Sequence, residues 1–151
     1  MAKSILRVTE GHCVVKVSGG AGTETIALKT DLLKYNDSNP DNVSRYPTEV
    51  AGSTVYVNLV ALTWTGEAAT VITIVRDSVR IATLAGSRSA QLSFVKDYMV
   101  ADSVKNTSDI VVTISGGQGE VWIALQKMKG YTSTIETSLL GHYDDLDQVG
   151  V

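Results

Sequence analysis

Cys13 and His12 have the side-chain types of a nucleophile and its base, and they are adjacent in the sequence. A cysteine nucleophile needs a base within hydrogen-bond reach of its sulfur atom. Residues 13–18 alternate apolar and polar side chains, which predicts a β-strand, and neighbouring residues of a strand point to opposite faces of the sheet. We therefore expect Cys13 to be a core residue, since free cysteine packs as a small apolar side chain.

Three aspartates near a histidine form a second candidate group, made of His142, Asp144, Asp145 and Asp147. Carboxylate oxygens and imidazole nitrogens bind cations, but this spacing has neither the central glycine nor the closing glutamate of a calcium loop. We expect no metal and no other cofactor. The acidic side chains are then available to solvent or to a partner.

Two glycine-rich turns have the composition of phosphate-binding loops, since residues 18–22 and 115–119 both read Ser-Gly-Gly-x-Gly. A phosphate loop is followed by Lys-Ser or Lys-Thr and by the N terminus of a helix, and neither turn is. Carboxylates for glycoside hydrolysis are also present, but the sequence does not fix the separation that this mechanism needs. They are Glu67, Asp77, Asp97, Asp102 and Glu120. We expect the protein not to be an enzyme.

Trp64 and Trp122 suggest a further class, because glycan-binding modules of all-β fold use exposed aromatic rings as stacking platforms. The other interpretation places these rings in the core or at a subunit interface. Trp122 occupies the position that Thr25 has in an internal repeat. A core position would rarely exchange threonine for tryptophan, so we assign Trp122 to an interface.

That internal repeat indicates the architecture. Residues 13–28 (CVVKVSGGAGTETIAL) and 110–125 (IVVTISGGQGEVWIAL) align without a gap and are identical at nine of sixteen positions. Each has an alternating run, a glycine-rich turn and a second alternating run, which is typical of an antiparallel hairpin. We predict two matching hairpins, one near each end of the chain.

Alternation of period two recurs along most of the chain and predicts nine strands. Their predicted ranges are 4–9, 13–18, 23–29, 54–65, 70–76, 79–84, 90–96, 110–115 and 120–127. Glycines and the Asp77-Ser78 turn separate the strands, and there is no long helical pattern. We predict an all-β fold: one antiparallel β-sandwich, jelly-roll-like, over residues 1–130.

Bulk properties exclude several classes of protein. A length of 151 residues suits one domain, and a single cysteine cannot form the internal disulfides of a small secreted fold. The formal net charge of −3 argues against nucleic-acid binding. No apolar run approaches the ~20 residues of a membrane span, and the first residues lack the apolar region of a signal peptide.

Two segments depart from the strand pattern. Residues 30–51 contain Pro40, Tyr46 and the cluster NDSNPDN, and a loop this long is usually functional or an interface. We expect one helical turn at 31–35. Residues 131–151 form a predicted extended C-terminal arm, which is acidic but keeps apolar anchors. The arm's expected interface residues are Leu139, Leu140, Tyr143, Asp144, Asp145, Leu146 and Asp147.

The arm has too many apolar side chains for a solvated tail. A terminal segment becomes ordered only when a surface holds it, and we expect that surface to belong to a neighbouring subunit. The protein is then a homo-oligomer, either a trimer or a dimer. Pro40, Tyr46 and Trp122 complete the expected interface.

Residues 109–131 (DIVVTISGGQGEVWIALQKMKGY) and the preceding LAGSRSAQLSFVKDY resemble small β-sandwich virion proteins of tailed bacteriophages, of the capsid decoration and head-accessory type. The resemblance covers roughly residues 54–131. It implies a jelly-roll-like domain without catalysis that stabilises or decorates the capsid. Its partner would be the major capsid protein or another virion protein, and its location a virion assembled in the host cytoplasm. A tail or neck component and a glycan-binding adhesin module are the alternatives.

Overall fold

The structure, a computed structural model, describes residues 1–35, 49–93 and 106–133. All nine predicted strands are confirmed, and the described residues contain no helix. The strands are β1 Ala2–Val8, β2 His12–Gly19, β3 Gly22–Ile26, β4 Glu49–Gly66, β5 Val71–Arg76, β6 Val79–Ala85, β7 Ala90–Ser93, β8 Ile110–Ser115 and β9 Gly119–Ser133. The part of the chain that the structure describes therefore has no helix able to cross a membrane.

The strands form two antiparallel sheets that pack into a β-sandwich, as predicted. One sheet has five strands in the order β1-β2-β9-β4-β7, and the other has four in the order β3-β8-β5-β6. Four antiparallel pairs are nested in sequence, namely β2 with β9, β3 with β8, β4 with β7 and β5 with β6. β1 extends the five-stranded sheet and is one of its edges.

The prediction of two separate hairpins is wrong. β2 and β3 of the first repeat lie in different sheets, as do β8 and β9 of the second repeat. The two repeats instead pair with each other: Gly19 lies opposite Gly119 in one sheet, and Gly22 lies opposite Ile114 in the other. Each glycine-rich turn therefore carries the chain across the sandwich. Alternation fixes which residues face inward but not which strand is the hydrogen-bonding partner.

The core lies between the sheets and consists of the inward-facing residues of both. Cys13 is one of them, at 1% exposure, while His12 is exposed on the other face of β2, as expected. The largest apolar members are Ile26, Leu28, Leu32, Leu62, Ile72, Ile74, Ile110, Ile114, Ile123 and Leu125. No buried side-chain nitrogen or oxygen among the described residues lacks a hydrogen-bond partner.

The largest differences from the predicted boundaries are in two strands. β4 begins at Glu49, inside the predicted loop 30–51, and β9 continues to Ser133, where the apolar alternation has already ended. The two extensions pair with one another, and Glu49 lies opposite Ser133. Backbone pairing holds these residues in strands although their side chains do not alternate.

The predicted helical turn at 31–35 is also wrong, because a turn forms earlier, over residues 28–32. Asp31 N donates to Ala27 O at 2.9 Å, and the Asp31 carboxylate accepts from Ala27 N at 2.8 Å. The carboxylate thus bonds backward along the chain and does not cap a helix that follows.

Candidate functional site

An open cleft lies along the free edge of β1, between that strand and the segment after β3. Its volume is about 500 Å³, within the range of ~300–1,000 Å³ that ligand pockets have. One wall comes from β1 and the other from residues 30–35. The lining residues are Ile5, Leu6, Arg7, Val8, Thr30, Asp31, Leu33, Lys34 and Tyr35.

The cleft exposes apolar side chains. Ile5, Leu6 and Tyr35 are 39%, 52% and 40% exposed. In β1 the pairing register with β2 shifts between Ile5 and Arg7, so Leu6 forms a bulge in the edge strand. A bulge bends an edge strand and changes the direction of its side chains. This accounts for the exposed apolar side chains on β1.

Lys3 on β1 links that strand to the opposite wall of the cleft. Its Nζ lies 2.6 Å from Asp31 Oδ2 and donates to Thr25 O at 2.7 Å. The lysine therefore connects the edge of the five-stranded sheet to the segment leaving the four-stranded sheet. Because Asp31 also holds Ala27 N, this wall has a fixed backbone.

A buried ion pair holds the walls together from inside. The Lys127 ammonium on β9 pairs with the Glu49 carboxylate on β4. It also donates to Leu32 O at 2.8 Å and to Thr9 O at 3.1 Å. Leu32 belongs to one wall, and Thr9 to the turn that follows the other. One ammonium group therefore fixes the spacing of the two walls.

Glu49 and Tyr131 complete this arrangement. Glu49 accepts from Lys34 N at 2.9 Å, and Glu49 N donates back to Lys34 O. Tyr131 OH donates to Leu28 O at 2.6 Å, and its ring centroid lies 4.4 Å from Lys127 Nζ. Such a cation–π contact adds to the stabilisation of a desolvated ammonium. The segment from Leu28 to Lys34, which includes most of this wall, is thus held by hydrogen bonds at Leu28, Leu32 and Lys34.

Burial sets the protonation of the neighbouring groups. Desolvation raises the pKa of the Cys13 thiol from its usual value of 9.0 to about 11, although the Lys127 charge opposes the shift. Burial also raises the pKa of Tyr131, and the Glu49 carboxylate adds to that effect. Both groups stay neutral at physiological pH, and a thiol without thiolate character is not a nucleophile.

The mouth of the cleft is basic. Arg7 is exposed and makes no ion pair with the residues that the structure describes. Lys34 Nζ lies 3.8 Å from Glu10 Oε1, a distance at the limit of an ion pair, and both side chains are well exposed. Such exposed pairs contribute ~1 kcal/mol or less. The exposed apolar side chains together with Arg7 and Lys34 match a ligand that is apolar and acidic.

Trp122 is the one predicted interface residue within the described ranges, and it lies half-buried on the outer face of the five-stranded sheet. Lys16 Nζ stands 5.3 Å from its ring centroid and 3.2 Å from Glu120 Oε2. The ring lies away from the cleft. The other predicted interface residues lie outside the described residues, namely Pro40, Tyr46, Leu139, Leu140, Tyr143, Asp144, Asp145, Leu146 and Asp147.

Trp64 faces the opposite way. It packs against the core, and its indole Nε1 donates to Ala85 O on the other sheet at 3.1 Å. This bond links the partly buried ring to the other sheet.

The backbone polar groups of the second glycine-rich turn bond to side chains of the neighbouring loop, residues 67–70. Gln118 N donates to the Glu67 carboxylate at 2.9 Å, and Thr70 Oγ1 donates to Gln118 O at 2.7 Å. Gly116 has φ of 82°, and a Cβ there would lie 2.0 Å from Ala69 O. Glycine is required at this position because the neighbouring loop packs directly on the turn.

A row of four threonines crosses the outer face of the four-stranded sheet. Paired positions on adjacent strands place Thr23 beside Thr113, Thr113 beside Thr73, and Thr73 beside Thr83. The hydroxyls of Thr23 and Thr113 are 3.1 Å apart. Within the outward-facing rows of these four strands the only charged side chain is Arg80. Interface cores are depleted of charge in the same way.

Sequence reasoning missed the buried charges, although strand parity could have found them. Lys127 is separated by an even number of residues from Val121, Ile123 and Leu125 on β9, so its side chain points to the same inward face. By the same rule Arg76 follows Ile72 and Ile74 on β5. Arg76 is 0% exposed and donates to Ser108 O and Asn106 O at 2.8 and 2.7 Å.

Comparison with known proteins finds no matching protein-family model, no matching curated protein and no matching solved structure.

Proposed function

We propose that the protein is a non-enzymatic structural protein that acts through subunit contacts. The cleft beside β1 carries this proposal. Its apolar side chains are exposed at the edge of a sheet, where a solvated protein would normally place charge. Its walls are held rigidly by the Lys127–Glu49 pair, so the surface is preformed and a partner need not order it on binding.

A bacteriophage virion is the proposed setting. The nested pairing of β2 with β9, β3 with β8, β4 with β7 and β5 with β6 supports a jelly-roll-like arrangement of the eight strands. Jelly rolls occur in viral capsid proteins and in lectin domains. The resemblance of residues 54–131 to capsid decoration and head-accessory proteins favours the first of these two. The subunit would stabilise or decorate the capsid as a dimer or trimer.

The threonine face, whose only charged side chain is Arg80, is the surface that we assign to the shell. It lies on the other sheet from Trp122. The partner would be the major capsid protein or another virion protein. No role for nucleic acid, membrane or cofactor enters this proposal.

Antibody labelling of purified virions tests the setting. We expect gold-labelled antibodies against this chain to decorate the capsid at repeated positions. Label confined to the tail or neck would support the alternative virion position. Particles that contain the chain in no position would contradict the virion assignment altogether.

The second candidate function is glycan binding, which Trp122 favours. Lys16 and Glu120 flank its half-buried ring and supply hydrogen-bonding groups of the kind that orient a sugar on an aromatic platform. A glycan array would detect this activity. A signal that Trp122→Ala abolishes and Trp64→Phe preserves would support the adhesin alternative over the structural role.

A further inference from the structure

We propose that the cleft beside β1 in one subunit receives residues 139–147 of a second copy of this chain. The inference rests on the proposed function, because it identifies one of the subunit contacts. It names both the receiving surface and the segment that fills it, and each side has chemistry that can be changed separately.

Apolar complementarity is the first argument. The cleft presents Ile5, Leu6, Leu33 and Tyr35. The segment 139–147 reads LLGHYDDLD and so supplies three leucines and a tyrosine within nine residues. Burying each such side chain completely contributes roughly 1.5–3 kcal/mol. Part of that gain offsets the ordering of the segment, at about 1–2 kcal/mol per residue for the backbone.

Charge complementarity is the second argument. Asp144, Asp145 and Asp147 give the segment three carboxylates, while Arg7 and Lys34 stand at the mouth of the cleft. An arginine can bind a carboxylate through two parallel N–H donors. We assign Arg7 as the principal partner, since the described residues give it no carboxylate of their own.

The edge strand favours side-chain insertion over the addition of a new strand. The bulge at Leu6 interrupts the ladder of β1, and Lys3 stands on the same strand. Bulges and edge lysines are the features by which proteins prevent pairing of sheet edges. Recognition therefore depends on leucine side chains entering between the walls and on carboxylates at the rim.

The end of β9 lies near the cleft. Ser133 lies opposite Glu49, and Glu49 is hydrogen-bonded to Lys34 at the rim of the cleft. Residue 139 follows six residues later, so it can reach about 20 Å from Ser133. That reach covers the chain's own cleft, and exchange between copies would place the same segment in the cleft of a second copy. The two contacts are chemically identical, and exchange of identical elements is a low-cost route to a dimer.

Cross-linking of the full-length chain tests the proposal. All variants carry Cys13→Ala, so that the introduced cysteines are the only thiols. Thr30→Cys marks the cleft and Gln148→Cys marks the end of the segment, and neither removes an apolar or charged contact. Val79→Cys is the matched control, because Val79 is 43% exposed but lies on β6 of the other sheet. Equal amounts of two variants are mixed and treated with a short bismaleimide.

We expect the mixture of Thr30→Cys with Gln148→Cys to yield about tenfold more linked two-chain product than the mixture of Val79→Cys with Gln148→Cys. Binding of the segment in the cleft raises the effective concentration of one thiol near the other. Asp144→Lys with Asp145→Lys in the Gln148→Cys chain should remove that excess. Equal yields from the two mixtures would overturn the proposal. So would a Thr30→Cys/Gln148→Cys double variant that links within one chain while the mixture gives no two-chain product.

This test uses purified protein and does not depend on the virion. A two-chain product with no label on particles would leave the subunit contact in place and remove the virion setting. Labelled particles without a two-chain product would leave the virion setting in place and remove the subunit contact.

Discussion

Lys127 and Glu49, which are 78 residues apart in sequence, form an ion pair whose side chains are 1% and 4% exposed. The ammonium group also donates to Leu32 O in one wall of the cleft and to Thr9 O in the turn that follows the other wall. A buried pair contributes little net stability, but the loss of one partner leaves an uncompensated charge. This pair therefore fixes the geometry of the candidate site.

Lys127→Met should destabilise the protein by roughly 3–5 kcal/mol, because it leaves the Glu49 carboxylate buried without its cation. Urea unfolding measures the loss. In the double variant Lys127→Met/Glu49→Gln the loss should be smaller than the sum of the two single losses. Lys16→Met is the control: its pair with Glu120 is partly exposed, and its loss should cost ~1 kcal/mol or less. Equal costs for the two lysine variants would contradict the assigned role.

The free energy of unfolding should fall as pH rises from about 9 to about 11. The pKa of Cys13 is raised from 9.0 to about 11 in the folded protein. In that window the unfolded chain releases the thiol proton while the folded chain keeps it, so ionisation favours unfolding. The slope for one such group is about 1.4 kcal/mol per pH unit. Cys13→Ala should be less stable overall but should lose stability less steeply above pH 9. Parallel curves for the two proteins would rule out Cys13 as the cause.

Ser78→Gly should stabilise the β5–β6 hairpin. Asp77 and Ser78 have φ of 51° and 63°, the left-handed conformation at both central positions of a two-residue turn. Glycine adopts it without the steric cost of about 1–2 kcal/mol that other residues have. After the entropy cost of glycine we expect a gain of about 0.5–1 kcal/mol, measured as a higher urea midpoint. Ser78→Val, which is β-branched, should lower the midpoint.

Strand positions were most predictable where a strand has a buried face. β8 has the bounds that alternation predicts, and its inward residues Ile110, Val112 and Ile114 are buried. The pairing was not predictable. The turn after Gly19 permits either a hairpin or a crossing between sheets, and the choice depends on a partner strand about 100 residues away.

The candidate site was less accessible to sequence reasoning than the fold. The bulge at Leu6 has no clear signal in the sequence, since no side chain of this edge strand is fully buried and the strand lacks strict alternation. Lys127 could have been found by parity, but its bond to Leu32 O depends on how residues 28–34 return to the core. The prediction that residues 139–147 contact a neighbouring subunit stays a prediction.

Charge reversal tests the proposed contact between copies most directly. Sedimentation velocity of the full-length chain over a range of concentrations gives the association constant. Arg7→Glu should weaken association about tenfold, since it replaces attraction by repulsion at the rim of the cleft. Adding Asp144→Arg and Asp145→Arg to the same chain should restore association, and both effects should shrink at high salt. Unchanged association in Arg7→Glu, or no recovery in the triple variant, would contradict the contact.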